Sequence, residues 1–405
     1  GMQPFAHIER GTPHGVGGPG DDGAMRLHPV SDDPHAVWAA LPEALDGRRP
    51  IALGFAPGPD DTVPDDTAAV IATSGSSGVP KRVVLSAEAL RASAVATERR
   101  IGSAQWMLAL SAGYIAGLQV LVRSALAGNP PVFLEGRFTP DAFLQATAAM
   151  RHASRWHTSL VPAQLATLLD AAQERADVRT ALAGYDTVLV GGQSLPVRLR
   201  ERALDAGVQV VRTYGSSETS GGCVYDGKAL DQVRIEVVDG EVRIAGPMLA
   251  TGYLGDPDLT ARVFERDRIG IPWLRTGDTG EIVGTVLRIT GRIDNVIISG
   301  GVNVSLDRVE QVVRSVPTLG DAVAVGVPDE RWGQACWVAT AQRPFDDAAL
   351  LAQVRARVQV ELGAPARPAR IVTLTHIPLL RSGKPDRGRI RSLLADDALP
   401  PDGWS

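Results

Sequence analysis

A run of glycines and hydroxyl side chains that ends in a lysine has the strongest chemical character in the sequence. Residues 73–81 read TSGSSGVPK and follow a predicted strand over residues 68–73. Small residues let backbone amides converge on an anion, and the hydroxyls and the ammonium group add donors and positive charge. The run is not a Walker loop, because Pro80 stands where a second glycine is required. We predict a polyphosphate-binding loop, with a plain flexible loop as the alternative; its candidate contacts are Thr73, Ser74, Gly75, Ser76, Ser77, Gly78 and Lys81.

A second polar motif, YGSSET at residues 214–219, follows a predicted strand over residues 208–213. The carboxyl end of a strand is where open α/β sheets bind ligands. The ring of Tyr214 suits stacking on a purine, the hydroxyl of Thr219 suits a phosphate oxygen, and the carboxylate of Glu218 suits Mg²⁺. An ordinary turn is the alternative interpretation of this hexapeptide.

Three further polar segments lie in the second half of the chain. Asp278, in TGD at residues 276–278, is predicted to sit in a tight turn, where its carboxylate could accept from both hydroxyls of a ribose. Arg292, fourteen residues later, provides a fixed cation. Lys384 lies in a small-residue loop before the last predicted helix. A common β-turn aspartate and an ordinary surface lysine are the alternatives for Asp278 and Lys384.

Composition excludes several function classes. Forty-one basic and 46 acidic side chains leave a net charge of −5, which provides no basic field for nucleic acid or an anionic membrane. No apolar run approaches the length of about 18 residues that a membrane span needs. Two cysteines cannot make a disulfide framework, so we expect the cytoplasm as the compartment. The seven histidines show no metal-ligand spacing, and His152 and His157 are predicted to lie at the surface.

The elements that must position these motifs form two units. Alternating strands and helices over residues 67–213 predict a largely parallel sheet covered by helices. A β-rich segment follows, with Asp239-Gly240 as a hairpin turn, and the chain then ends in a smaller α+β unit. The fold class is therefore α/β, with domains predicted at residues 1–292 and 293–405. Helices are expected near residues 34–44, 87–100, 115–127, 140–150, 163–172, 197–206, 306–316, 348–362 and 387–395.

In this order the motifs resemble the adenylate-forming superfamily, which includes acyl-CoA synthetases, nonribosomal peptide adenylation domains and luciferases. The resemblance runs from about residue 66 to residue 394, and its anchors are TSGSSGVPK, YGSSET, TGD with GRIDNVIISGGVNV, and RSGKPDR. It implies a large body that binds ATP and a carboxylic acid, and a small, mobile C-terminal domain. It also implies ATP, Mg²⁺ and CoA as cofactors.

The resemblance implies a role for each anchor. Residues 73–81 hold the ATP phosphates, Tyr214 stacks on adenine, and Thr219 contacts the α-phosphate. Glu218 holds Mg²⁺, and Asp278 holds the ribose. The remaining implied nucleotide contacts are the glycines Gly192 and Gly215.

The C-terminal anchors are implied to act in turn. Lys384 bridges the carboxylate and the α-phosphate in the first half-reaction, with Arg292 beside the ribose. Asp294 is the implied hinge of the rotation. Gly300 and Gly301 then face the pantetheine thiol in the second half-reaction.

Within the superfamily, several segments are most similar to the o-succinylbenzoate–CoA ligases of menaquinone synthesis in their short actinobacterial form. They are YIAGLQVLVRS, TSLVPAQL, GGQSLP and GGCVYDG. Such ligases act on a dicarboxylate, whose second carboxylate requires a cation or several donors. Arg123 is a candidate cation, although it could equally extend from a helix end to solvent. The candidate substrate contacts are Tyr114, Arg123, Ser159, Ser220 and Tyr225.

This chain departs from the family pattern at three places, one of which is Arg82 after Lys81, where relatives commonly carry glycine. Gly113-Tyr114 stands where many relatives carry His-His, and much of the usual N-terminal subdomain is missing before the phosphate loop. The expected activity is an ATP-dependent acid–CoA ligase acting on 2-succinylbenzoate. The alternatives are another aryl or acyl-CoA ligase, a stand-alone adenylation enzyme that loads a carrier protein, a phosphotransferase and a non-catalytic binding module. A homodimer is compatible with the sequence.

Overall fold

The computed structural model describes residues 23–73, 80–151, 153–192, 194–342, 347–380 and 383–397. Each predicted helix is present, and α6 and α8 were not predicted. Over the described residues the α-helices are α1 (Pro34–Leu45), α2 (Ala87–Ile101), α3 (Ile115–Ala127), α4 (Pro140–Ala148), α5 (Pro162–Glu174), α6 (Ala176–Ala183), α7 (Val197–Asp205), α8 (Pro257–Val263), α9 (Leu306–Arg314), α10 (Asp347–Leu362) and α11 (Arg387–Asp397). None of the helices in these ranges is long and apolar enough to cross a membrane.

The strands are numbered in chain order over the same residues. They are β1 (Met25–Arg26), β2 (His28–Val30), β3 (Ile51–Leu53), β4 (Thr62–Val63), β5 (Thr67–Thr73), β6 (Lys81–Ser86), β7 (Gln105–Leu108), β8 (Val132–Phe133), β9 (Trp156–Leu160), β10 (Thr187–Val190), β11 (Val210–Ser216), β12 (Gly221–Tyr225), β13 (Lys228–Ala229), β14 (Arg234–Val238), β15 (Glu241–Ala245), β16 (Gly252–Tyr253), β17 (Phe264–Arg266), β18 (Pro272–Val283), β19 (Val286–Arg292), β20 (Val296–Ser299), β21 (Val302–Ser305), β22 (Val323–Asp329), β23 (Gly333–Thr340) and β24 (Arg370–Thr373).

Two sheets form the framework of the N-terminal body. The larger has the order β13-β12-β11-β10-β9-β7-β8, and the five strands from β11 to β8 are parallel. The smaller has the order β16-β6-β5-β3-β2 and is mixed. An apolar core that includes Leu90, Leu121 and Leu189 joins α2, α3 and the larger sheet. The α/β class is confirmed.

Helix termini in the body follow the capping signals of the sequence. The Ser86 hydroxyl accepts from the backbone N–H of Ala89 at the start of α2, and the Thr139 hydroxyl does the same for Ala142 in α4. Gly128 ends α3 in the left-handed conformation that favours glycine. These caps fix the register at which each helix enters the core.

A third, antiparallel sheet corrects one sequence prediction. It has the order β14-β15-β18-β17, with β19 on β18. Asp278 does not lie in a tight turn, because β18 runs unbroken from Pro272 to Val283. Gly277 adopts φ +69° and breaks the register with β15, so the strand bulges beside Asp278. The bulge re-aims the carboxylate without ending the strand.

The C-terminal unit has its own sheet, with the order β21-β20-β23-β22 and β24 parallel to β23. Helices α9 and α10 cover one apolar cluster of this sheet, and α11 covers another through Ile390 and Leu394. The small α+β unit is thus as expected, although the hairpin of β20 and β21 was not predicted. The domain boundary between residues 292 and 293 stays a prediction.

Candidate active site

The two principal ligand motifs of the body meet at one point. Tyr214 lies near the end of β11, and its hydroxyl donates a 2.5 Å hydrogen bond to Oδ2 of Asp278. On the other side, Nη1 of Arg292 donates to Oδ1 of Asp278 over 3.0 Å. Strand register places Asp278 opposite Arg292. An aromatic ring, a carboxylate and a guanidinium therefore converge at the carboxyl end of the parallel strands.

Strand β11 is longer than the sequence indicated. We expected it to end before Tyr214, but it continues through Ser216 and pairs with β12. The continuation requires glycine at Gly215, because a Cβ there would lie 2.2 Å from the carbonyl oxygen of Gly221. The motif is thus the last part of a strand followed by a single 3-10 turn. Strand pairing holds Tyr214 more rigidly than a free loop would.

Lys384 is close enough to act on Asp278 electrostatically. Burial raises the pKa of the Asp278 carboxyl, and the hydrogen bond from Tyr214 opposes that rise. The positive charges of Arg292 and Lys384 oppose it as well. The Lys384 side chain itself is exposed, in a turn that is closed by a hydrogen bond from the backbone N–H of Leu380 to its carbonyl oxygen. The positive charge of Lys384 thus favours the ionised form of the Asp278 carboxyl, after the larger effects of burial, Tyr214 and Arg292.

A chain of polar contacts connects Arg292 to the C-terminal unit. Arg292 donates to both carboxylate oxygens of Asp294, at 2.8 and 3.2 Å. The carboxylate of Asp307, at the start of α9, accepts from the backbone N–H of Arg292 at 2.8 Å and from Nδ2 of Asn295 at 2.6 Å. Arg387 lies 3.7 Å from the same carboxylate. We did not predict a role for Asp307 or Arg387 from the sequence.

Glu218 is oriented by a residue that the sequence interpretation also missed. The hydroxyl of Tyr253 donates to Oε1 of Glu218 over 2.8 Å, and the Lys81 ammonium lies 5.7 Å from the centre of the Tyr253 ring. Burial and the negative charge of Glu218 both raise the pKa of the Tyr253 phenol, so it stays a hydrogen-bond donor. Tyr253 belongs to none of the motifs that the sequence interpretation used, so no sequence signal pointed to it.

The donor set around Glu218 fits a magnesium ion that is held mainly by phosphate and water. Within the described ranges no group of three or more His, Cys, Asp or Glu side chains could hold a metal ion. Mg²⁺ usually needs only one or two protein carboxylates when a substrate phosphate shares it. Glu218 forms no ion pair with any described cation, so its carboxylate is available for that purpose.

Thr219 and Ser220 complete the turn after Glu218. The Thr219 hydroxyl accepts from the backbone N–H of Ser216 and donates to the carbonyl of Gly221, at 2.8 and 2.7 Å. Ser220 adopts φ +53°, and its hydroxyl donates to the carbonyl of Met248 over 2.7 Å. Both side chains are buried, so their present bonds hold the turn in shape.

The predicted phosphate loop is described only at its ends. The Thr73 hydroxyl donates to the carbonyl of Lys81 over 3.3 Å, and strand register pairs the same two residues across β5 and β6. The loop therefore leaves and re-enters one hairpin. Ser74, Gly75, Ser76, Ser77 and Gly78 lie outside the described residues.

The predicted acyl contacts differ in how deeply their side chains are buried. Tyr114 directly precedes α3 and is half-buried, and Ser159 lies on β9. Tyr225 is fully buried, and its hydroxyl is 2.9 Å from that of Thr97. Arg123 does not extend to solvent from a helix end: it is 7% exposed inside the core. His157, expected at the surface, is also buried, between Trp106 and the backbone of Gly102.

The remaining predicted glycines have left-handed backbone conformations, which favour glycine over other residues. Gly192 adopts φ +82° after β10, and Gly300 and Gly301 adopt φ +57° and +82° between β20 and β21. A Cβ on Gly300 would lie 2.9 Å from the ring of Trp332. Trp332, Ile298 and Val302 are all about half exposed, so an apolar surface surrounds this turn.

Comparisons with known proteins agree with this arrangement. The sequence model described as AMP-binding enzyme matches residues 21–254, and the model described as AMP-binding enzyme C-terminal domain matches residues 308–384. The chain is 39% identical over 345 residues to a probable 2-succinylbenzoate–CoA ligase of Mycobacterium tuberculosis strain CDC 1551, which covers 84% of this chain and 87% of that protein.

Solved structures give the same result. The o-succinylbenzoate CoA synthetase of Bacillus subtilis, solved with its acyl-adenylate intermediate, superposes with a TM-score of 0.69 at 26% identity. The match covers 80% of this chain and 69% of that one. The same Bacillus subtilis synthetase, solved with ATP and a magnesium ion, matches with equal TM-score, identity and coverage.

Proposed function

The chain belongs to the family of AMP-binding enzymes, and on that premise we propose that it is an ATP-dependent acid–CoA ligase acting on 2-succinylbenzoate. In the first half-reaction a carboxylate oxygen attacks the α-phosphorus of ATP and gives an acyl-adenylate and pyrophosphate. In the second the sulfur of CoA attacks the acyl carbon and gives the thioester and AMP.

The observation that carries the proposal is the convergence on Asp278. A ribose hydroxyl needs an acceptor that is fixed in place, and Tyr214 and Arg292 fix this carboxylate from two sides. The charge of Lys384 acts at the same place although the lysine lies 106 residues further along the chain. A C-terminal ammonium beside a nucleotide site is what adenylation requires.

Electrostatics explain why the adenylation site needs positive charge near the α-phosphorus of ATP. A carboxylate and a triphosphate repel each other, and the attack adds negative charge around the α-phosphorus. Lys81 and Lys384 would offset that charge, and Thr219 follows Glu218 in the same 3-10 turn. Bound Mg²⁺ would supply further positive charge to the phosphates, with Glu218 as its protein ligand. Tyr253 holds Glu218 in the orientation that this binding needs.

The second half-reaction needs a different arrangement. The adenylate must be protected from water until the thiol arrives, and Lys384 has no role in the thiol attack. Rotation about Asp294 would withdraw Lys384 and bring Gly300 and Gly301 to the acyl carbon. The Asp294–Arg292 and Asp307–Arg292 bonds would have to rearrange in that step. The apolar surface around Trp332 would then face CoA.

The proposed enzyme works in the cytoplasm, where ATP, Mg²⁺ and CoA are available together. Its partners are therefore small molecules: the carboxylic acid and CoA. Assembly into a homodimer stays a prediction, and a measurement of mass in solution tests it.

The proposal predicts a defined substrate preference. In ATP–pyrophosphate exchange without CoA, 2-succinylbenzoate should support exchange at least about tenfold faster than benzoate, a medium-chain fatty acid or any amino acid, because only it matches a site for two carboxylates. Addition of CoA should then convert 2-succinylbenzoate to its thioester, with one AMP per thioester.

Two outcomes would contradict the proposal. Exchange with an amino acid and none with 2-succinylbenzoate would favour the stand-alone adenylation enzyme. Exchange with 2-succinylbenzoate followed by no thioester with CoA, but transfer to a phosphopantetheinyl carrier protein, would keep adenylation and replace the acceptor.

A further inference from the structure

The hydroxyl of Tyr253 engages only one oxygen of the Glu218 carboxylate. It donates to Oε1 over 2.8 Å, and none of the residues that the structure describes donates to Oε2. A hydrogen bond weakens an oxygen as a metal ligand, because it draws on the same lone pairs. The carboxylate of Glu218 therefore offers one strong ligand oxygen rather than two.

Tyr253 has a fixed position because three elements hold it. In β16 it pairs with Val83 of β6. Its backbone N–H donates to Oγ1 of Thr260 in α8 over 2.9 Å. Its ring packs against Phe264 of β17, with the ring centres 5.8 Å apart. Tyr253 is only 7% exposed, so the phenol has little room to follow the carboxylate if Glu218 turns.

The backbone of Glu218 is held by the segment that carries Tyr253. The carbonyl oxygen of Glu218 accepts from the backbone N–H of Ala250 over 2.8 Å, and Ala250 lies three residues before Tyr253. Glu218 itself lies in the single 3-10 turn over Ser217–Thr219. Both ends of the bond between phenol and carboxylate are thus anchored to residues 250–253. A rotation that presents both carboxylate oxygens to one ion would break that bond.

The ring of Tyr253 also lies beside the cation at the end of the predicted phosphate loop. The Lys81 ammonium is 5.7 Å from the ring centre, a distance at which a cation and an aromatic face attract each other. Lys81 and Glu218 do not form an ion pair with each other. Lys81 is thus left for the phosphates, and the carboxylate of Glu218 is left for a metal ion.

Divalent cations differ in how they use a carboxylate. Ca²⁺ takes about six to eight oxygen ligands and often binds both oxygens of one carboxylate. Mg²⁺ requires near-octahedral geometry, keeps several waters and uses one or two carboxylates beside the substrate phosphates. A carboxylate with one available oxygen therefore suits Mg²⁺, and one that can turn both oxygens toward the ion suits Ca²⁺.

We propose that Tyr253 is a positioning residue that limits Glu218 to one ligand oxygen and so makes the site selective for Mg²⁺ over Ca²⁺. This inference rests on the proposed function and deepens it, because it names the residue that selects the metal ion of the bound ATP. Glu218 is the ligand, and Tyr253 acts only through Glu218.

Calorimetric titration with ATP, in the absence of the acid and CoA, measures binding without reaction. Dissociation constants are determined with saturating Mg²⁺, with saturating Ca²⁺ and with EDTA. Wild-type protein should bind ATP about tenfold more tightly with Mg²⁺ than with Ca²⁺. In Tyr253→Phe this preference should fall about tenfold, because loss of a partner that orients a metal ligand costs about 10- to 100-fold in metal affinity. The dissociation constant with EDTA should stay unchanged.

Tyr185→Phe is the matched control. Tyr185 is fully buried, and its hydroxyl forms a 2.9 Å hydrogen bond with that of Thr147. The control loses a buried phenol hydroxyl of the same kind, so it should keep the wild-type metal preference. Thermal unfolding of both variants reports any loss of stability.

Glu218→Gln tests the ligand itself. The amide oxygen can still accept from Tyr253, but the negative charge is lost. This variant should therefore lose most of the gain in ATP affinity that Mg²⁺ gives over EDTA. A Glu218→Gln protein that keeps the whole gain would overturn the inference even if Tyr253→Phe did not fold.

Three other results would overturn the inference. A wild-type protein that binds ATP equally well with Mg²⁺ and Ca²⁺ has no selectivity for Tyr253 to provide. A folded Tyr253→Phe protein that keeps the preference assigns the selectivity to other residues. Equal weakening with Mg²⁺, Ca²⁺ and EDTA assigns Tyr253 a structural role. Failure of the proposed function is a distinct result, because an absence of exchange with 2-succinylbenzoate leaves the metal preference of ATP binding in place.

Discussion

Lys384→Ala should slow ATP–pyrophosphate exchange about 1,000-fold and leave thioester formation from supplied acyl-adenylate within about twofold of the wild type. The expected loss is large because the ammonium group acts on charge that develops only in the transition state of adenylation. The structure places that charge near Asp278, where it lowers the pKa of the carboxyl against the effect of burial. Separate assays of the two half-reactions make the measurement.

The chain offers a close control for this variant. It contains three lysines, Lys81, Lys228 and Lys384, and Lys228 is exposed on the short strand β13. Lys228→Ala should leave both half-reactions unchanged. Equal losses of both half-reactions in Lys384→Ala would instead assign the lysine a structural role and contradict a role limited to adenylation.

Asp278→Asn should raise the KM for ATP about 100-fold. The amide keeps the shape of the side chain, but it removes the charge that pairs with Arg292, and its NH₂ group cannot accept a hydrogen bond. The Tyr214 hydroxyl and the Arg292 guanidinium then lose a shared anchor, and the ribose loses its acceptor. Initial rates at varied ATP concentration measure the effect.

Asp258→Asn controls for a change of charge alone, because Asp258 is exposed in the first turn of α8. It should leave the KM for ATP unchanged. A KM for ATP that stays at the wild-type value in Asp278→Asn would show that the ribose does not depend on this carboxylate. That result would remove the main geometric support for the nucleotide site.

Much of the fold could be predicted because local signals dominate there. Ser86 and Thr139 cap their helices as their residue types indicate, and Gly128 ends α3. Asp239 and Gly240, with φ values of +50° and +80°, form the expected hairpin turn. In each case a few neighbouring residues decide the conformation, so the sequence is sufficient.

The errors occurred where distant contacts override local preference. Thr276-Gly277-Asp278 has the composition of a turn, but pairing with β15 and β19 keeps it in a strand. His157 is polar, yet Nε2 of its ring contacts the backbone carbonyl of Gly102 in the core, 55 residues earlier in the chain, and burial lowers its pKa. No local pattern reports such partners, because they lie far away in the sequence.

The positioning residues of the site were missed for the same reason. Asp307 has no motif of its own, but its carboxylate connects the end of β19 to Arg387. Arg387 lies three residues beyond Lys384. It forms a 2.7 Å ion pair with Glu310 of α9. The segment that carries the lysine is therefore fixed to α9, and α9 to the strand that carries Arg292. This connection explains how a lysine in an exposed turn has a defined place relative to Asp278.

The most direct measurement of the central claim is affinity labelling with the 2′,3′-dialdehyde of AMP. An aldehyde at the ribose position forms an imine with a nearby ε-amine, and borohydride reduction makes the bond permanent. Because the chain has only three lysines, mapping of the labelled peptide identifies the residue without ambiguity. We expect the label on Lys384, with protection by ATP. A label confined to Lys81 or Lys228, or a label on Lys384 that ATP does not prevent, would contradict the claim that the C-terminal lysine reaches the nucleotide site.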